Sequence, residues 1–68
     1  MEVIAVILRM PEDELIALSQ LVKRIDYDTC VRFTSRFDRY HGRDEGDVAW
    51  SAVNLLQREL AAAGFNPR

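Results

Sequence analysis

The sequence predicts a small, mainly α domain of α+β class: one N-terminal strand followed by three helices. Three observations carry this. Val3 to Leu8 is a short apolar run rich in β-branched residues. Apolar residues then recur at helical spacing in three stretches. Gly64, Phe65 and Pro67 close the last stretch with a strong stop signal.

The strand is expected over residues 2–9. It does not alternate apolar with polar, so both of its faces should be covered. Pro11 suits a first helical position, where its missing N–H costs nothing. Glu12, Asp13 and Glu14 follow and complement the positive end of a helix dipole, while Lys23 and Arg24 suit the other end. Between them Leu15, Leu18, Val22 and Ile25 form a stripe that Leu21 widens, predicting a helix over 11–25.

A second helix is expected over 29–40, capped by Asp28 or Thr29. Cys30, Phe33, Phe37 and Tyr40 share one face of it, and Arg32, Arg36, Arg39 and Arg43 lie along a neighbouring one. Phe33 and Phe37 are expected in the core. His41 and Gly42 begin a polar loop that runs to Gly46. Asp44 or Asp47 can cap a third helix over 47–63, with Ala49, Val53, Leu56 and Leu60 as its stripe. Ala52, Leu55 and Ala63 lie alongside, and Trp50 covers the stripe's edge.

A lone strand cannot satisfy its backbone hydrogen bonds. The economical partner is the same strand of a second copy, so the sequence predicts a homodimer through Val3–Leu8. The alternatives are a second strand, for example within residues 64–68, or a segment over residues 1–9 that is not a strand. The size points the same way: 68 residues form one domain that buries a modest share of its surface.

Composition excludes several classes. At 49% hydrophobic residues the chain is too apolar for a typical disordered segment. No apolar run is long enough to span a bilayer. The single cysteine cannot form an internal disulfide. A cytoplasmic protein is expected, because the start has neither a basic n-region nor a small-residue cleavage site.

Charge is segregated. Residues 23–43 carry six bases against three acids, whereas residues 1–22 and 44–68 are both net acidic. The bases of the second predicted helix are all arginine, which binds phosphate or carboxylate in bidentate fashion and stacks on aromatic rings. Arg32, Arg36, Arg39 and Arg43, with Tyr40 and Trp50 as aromatic anchors, are therefore the predicted partner-binding residues. A protein partner is favoured over nucleic acid, because the whole chain is acidic with a net charge of −2. Internal pairing of the arginines is the plain alternative.

No catalytic site is expected. Cys30 and His41 could form a nucleophile–base pair, but Cys30 sits on an apolar face where a buried small side chain fits better. His41 belongs to the loop. Asp44, Glu45 and Asp47 lack the spacing of a calcium loop, and capping explains them. No metal and no cofactor are expected.

Two resemblances bear on function. A strand, then Pro11-Glu12-Asp13-Glu14, then an amphipathic helix resembles the start of ribbon–helix–helix DNA-binding dimers. That implies, as an alternative, a small dimeric DNA- or RNA-binding regulator. The strand of that family offers polar side chains to the major groove, whereas here only Glu2 and Arg9 are polar. The stretches Ala17 to Ile25, Asp47 to Trp50 and Leu60 to Arg68 look like a group of short uncharacterised bacterial proteins associated with plasmids, prophages and integrative elements. The resemblance implies a non-enzymatic accessory protein of a mobile element. Inhibitors of host defence, including anti-CRISPR proteins, are analogous in size and in lacking catalytic motifs.

Overall fold

Pro11 starts the first regular element. The computed structural model describes residues 2–35 and 39–65, and in it helix α1 runs Glu12–Arg24. The Pro11 carbonyl accepts from the N–H groups of Glu14 and Leu15, both at 3.1 Å. Three acids fill the first turn and Lys23 and Arg24 the last, as the dipole favours. This element matches the spacing that predicted it.

Helix α2 is a correction. It spans only Tyr27–Arg32, where the sequence predicts 29–40. Its cap is Asp26, not Asp28 or Thr29: the Asp26 carboxylate accepts from the Thr29 N–H at 2.8 Å and the Thr29 hydroxyl at 2.7 Å. The early stop has local causes. Val31, Phe33 and Thr34 have weak helix propensity. The Thr34 hydroxyl donates back to the Cys30 carbonyl and so competes with further helical turns.

The chain then forms a hairpin. Strand β1, Arg39–Tyr40, pairs antiparallel with β2, Arg43–Asp44, in the register Arg39 to Asp44 and Tyr40 to Arg43. The two turn residues both have positive φ, 55° at His41 and 82° at Gly42. That is the requirement of the two-residue turn whose twist matches the strands.

Helix α3, Glu45–Ala62, is the longest element at 18 residues and begins two residues before the predicted start. Asp44 occupies its cap position without a capping hydrogen bond. Gly64, with φ 97°, ends the helix. The Phe65 N–H reaches the Leu60 carbonyl at 2.8 Å and the Gly64 N–H the Ala61 carbonyl at 3.0 Å, the paired bonds of a Schellman stop. The predicted stop signal thus works as read, although Pro67 itself lies outside the described residues.

Helices α1 and α2 both pack on α3 rather than on each other. Gln57 of α3 donates to the Val22 carbonyl at 2.8 Å, which also accepts from the Ile25 N–H at 3.2 Å, and so ties α3 to the end of α1. Among the described residues Val22, Cys30 and Leu60 are the buried hydrophobic ones, joined by Ser19, whose hydroxyl donates to the Ile16 carbonyl. The buried Cys30 and the α3 stripe ending at Leu60 agree with the sequence. Phe33 does not: it is 77% exposed, because the helix that would have turned it inward stops at Arg32. Leu21 is exposed too.

The predicted N-terminal strand is the second correction. Residues 2–11 have no regular structure, and the only described strands are the two of the hairpin. A strand exists by virtue of a partner, and each hairpin strand is two residues long, too short to pair with an eight-residue segment. No backbone hydrogen bond joins residues 2–10 to another described residue. The molecule exposes 5782 Å², roughly a third more than the ~4,400 Å² of a compact monomer of this mass. Among the described residues no helix is long and apolar enough to cross a membrane.

Candidate functional site

Two surface regions hold the residues that the sequence singled out. The first is the junction of α2, the hairpin and the start of α3. Gly46 makes it possible. A Cβ at this position would lie 3.1 Å from the Val31 Cα and 3.2 Å from the Thr34 hydroxyl. The first turn of α3 therefore sits directly on the end of α2, and Gly46 is a buried helix residue rather than part of a loop.

Charged and phenolic groups crowd this junction and engage one another. Asp44 forgoes its capping role and takes the Arg39 guanidinium across the hairpin at 2.8 Å. The Glu45 carboxylate accepts from the Ser35 N–H at 3.1 Å and the Tyr40 hydroxyl at 2.9 Å. Arg43 donates to the Asp47 carbonyl at 3.2 Å and the Ser51 hydroxyl at 2.8 Å. The Tyr27 hydroxyl donates to the Asp47 carboxylate at 2.6 Å. That hydrogen bond, and the negative charge behind it, raise the Tyr27 pKa above 10.0. The Tyr27 ring also meets Trp50 edge-on, with centroids 6.3 Å apart.

The predicted arginine row is thus dispersed. Arg32 ends α2 and approaches Asp28 at 3.7 Å, an exposed i,i+4 pair of little energetic weight. Arg39 and Arg43 lie on the two hairpin strands, and Arg36, like Phe37, lies outside the described residues. The structure brings Arg39, Arg43 and Tyr40 together with each other, and Trp50 with Tyr27, but not as one helix face. Tyr27, Glu45 and Ser51 were missed. The His41-Gly42 dipeptide between short charged runs was the signal for the hairpin that recruits them.

A cleft of about 220 Å³ opens at the junction, lined by Tyr27, Val31, Thr34, Ser35, Arg39, Asp44 and Gly46. Its polar groups are donors and acceptors already paired, and Cys30 of α2 is buried. Among the described residues no three His, Cys, Asp or Glu side chains converge as metal ligands would.

The second region is the segment before α1. Val3, Ile4, Val6, Ile7 and Leu8 are 93, 77, 76, 80 and 55% exposed. Single exposed apolar residues are ordinary on protein surfaces, whereas five within six positions are not.

Comparison with known proteins adds a family and no activity. The whole chain, residues 1–68, matches the model described as a family of unknown function, DUF7706. The chain belongs to this family. No curated protein and no solved structure matches it. Two surface regions of the DUF7706 chain stand in contrast. One is polar and internally paired, and the other is apolar and uncovered.

Proposed function

We propose that this DUF7706 chain is a non-enzymatic protein-binding module whose contact element is Val3–Leu8, displayed by a three-helix body. The observation that carries the reading is the exposure of five large apolar side chains in that segment. Water opposes leaving them uncovered, at about 25 cal/mol for each Å² of apolar surface. The matching partner is a protein with an apolar surface. The arginines support this choice by what they already do: Arg39 and Arg43 direct donors at Asp44, Asp47 and Ser51, which ties them to the hairpin. A phosphate backbone would have to compete with those partners. The resemblance to short proteins of plasmids, prophages and integrative elements supports placing the partner in host or element machinery. Inhibition by contact suits a chain of this size.

A photo-reactive amino acid at Ile4 or Ile7 of the full chain, illuminated in the producing cells, tests the reading. Discrete protein adducts are expected at both positions and not at the exposed Glu59. Nucleic-acid adducts at Arg43 with none at Ile4 and Ile7, or no adduct at either isoleucine, would overturn it.

A further inference from the structure

We infer that the Arg39–Asp44 ion pair is a releasable latch on the hairpin. When the Arg39 guanidinium is drawn away, the Asp44 carboxylate turns to cap α3, so the base of the hairpin opens while the helix keeps its start. The inference goes beyond the protein-binding reading, since it concerns the charged junction and not Val3–Leu8.

Asp44 has two roles within reach and fills one. It stands at the cap position of α3 with the extended backbone that a cap requires, φ −65° and ψ 147°, yet its side chain accepts no hydrogen bond from the helix. Asp26 shows the other role: at the cap of α2 its carboxylate accepts from the Thr29 N–H at 2.8 Å. At Asp44 the Arg39 guanidinium, 2.8 Å away, takes the carboxylate instead.

The two roles are close in weight. The ion pair is exposed on both sides, 62% at the Arg39 side chain and 49% at that of Asp44, so water screens it. A carboxylate cap contributes as much as such a pair or more. It satisfies a helix N–H that has no partner within the helix, and it meets the positive end of the dipole. Loss of Arg39 is therefore offset by what Asp44 does next.

The position of the pair gives the exchange a consequence. Arg39 and Asp44 form the rung farthest from the turn, where the hairpin meets α3. Each strand is two residues long, and the turn holds His41 at φ 55°, a left-handed conformation that a side chain disfavours. Little backbone pairing keeps such a hairpin closed. Both residues also line the cleft of about 220 Å³ at the junction. Release of the pair frees the wall of the cleft on the hairpin side, while the Tyr40 bond to Glu45 keeps the hairpin attached.

Amide hydrogen exchange, read by NMR on the full chain, tests the latch at the Gly46 and Asp47 N–H groups. These are the second and third of α3, the two that a capping carboxylate bonds. The parent is compared with Arg39→Ala, Asp44→Ala and the double variant. Arg39→Ala should slow exchange at one of these groups about fivefold, the effect of a cap of ordinary strength, with helical circular dichroism unchanged. Asp44→Ala should not speed it, because the cap is unmade in the parent. The double variant should match Asp44→Ala. Unchanged or faster exchange in Arg39→Ala, equal slowing in the double variant, or loss of helical signal would overturn the inference. Faster exchange in Asp44→Ala would also overturn it, by showing that the cap is already made.

Discussion

The segment before α1 and the junction around Gly46 are both surface, and they spend their side chains in opposite ways. At the junction the carboxylates of Asp44, Glu45 and Asp47 each accept from a partner contributed by α2, the hairpin or the connection between them. The side chains there hold the chain's own elements in place. In the segment, five large apolar groups face water and the backbone is unpaired. The difference teaches that an arginine-rich surface is not by itself a binding surface. Here the charged region is paired within the fold and the apolar one is left exposed.

If that contrast holds, substitutions at the junction should cost stability and substitutions in the segment should not. Gly46→Ala should have the largest effect, about 1–3 kcal/mol of lost stability in urea unfolding, because its methyl would press on the Val31 backbone, which cannot rotate away. A stabilising Gly46→Ala would break the account of the junction.

Asp26→Ala should lower the melting temperature by less, through loss of the α2 cap. Its pH dependence sharpens the test. The two Thr29 donors favour the ionised carboxylate and hold the Asp26 pKa below its ordinary 3.8. Its contribution is therefore complete above that value and is lost as pH falls through the lower, folded pKa. Asp26→Asn should keep most of the cap at neutral pH and flatten this acid-side slope in thermal melts.

Tyr27→Phe should cost little at neutral pH, since the Trp50 contact survives. Its signature lies at the alkaline end. The Tyr27 pKa is raised in the folded chain, so its contribution is present below pH 10 and fades as pH rises through the folded pKa. Ultraviolet titration of tyrosinate should lose its late-ionising component in the variant. At the small end, Ile4→Ser should leave the unfolding of dilute protein within ~0.5 kcal/mol of the parent. A large loss there would show the segment to be part of the monomer's core and erase the contrast between the regions.

Legibility followed the range of the interactions. Helix α1 was readable because Pro11, the acids after it and the Leu15–Val22 stripe all act within a few residues. The Gly64–Phe65 stop was readable for the same reason. The residues around α2 misled, because Cys30, Phe33, Phe37 and Tyr40 match a helical period that the chain does not follow. Phe33 is exposed and Tyr40 lies in a strand. Of the predicted partner-binding residues, Arg39, Tyr40 and Arg43 do come together. What gathers them is the positive φ of His41 and Gly42, not a shared helix face.

The sequence by itself determined the chain's helical character, the ends of α1 and α3, the buried place of Cys30 and the apolar nature of Val3–Leu8, because local propensity, capping and periodicity govern these. Tertiary structure decided where α2 stops, that Gly46 is a packing residue, that Arg39 pairs with Asp44 while Arg43 donates to the Asp47 carbonyl and Ser51, and that the N-terminal run pairs with no strand among the described residues. Those outcomes depend on close approach between segments far apart in sequence. Whether an apolar run becomes a strand depends on the backbone available to pair with it, which a periodicity cannot contain.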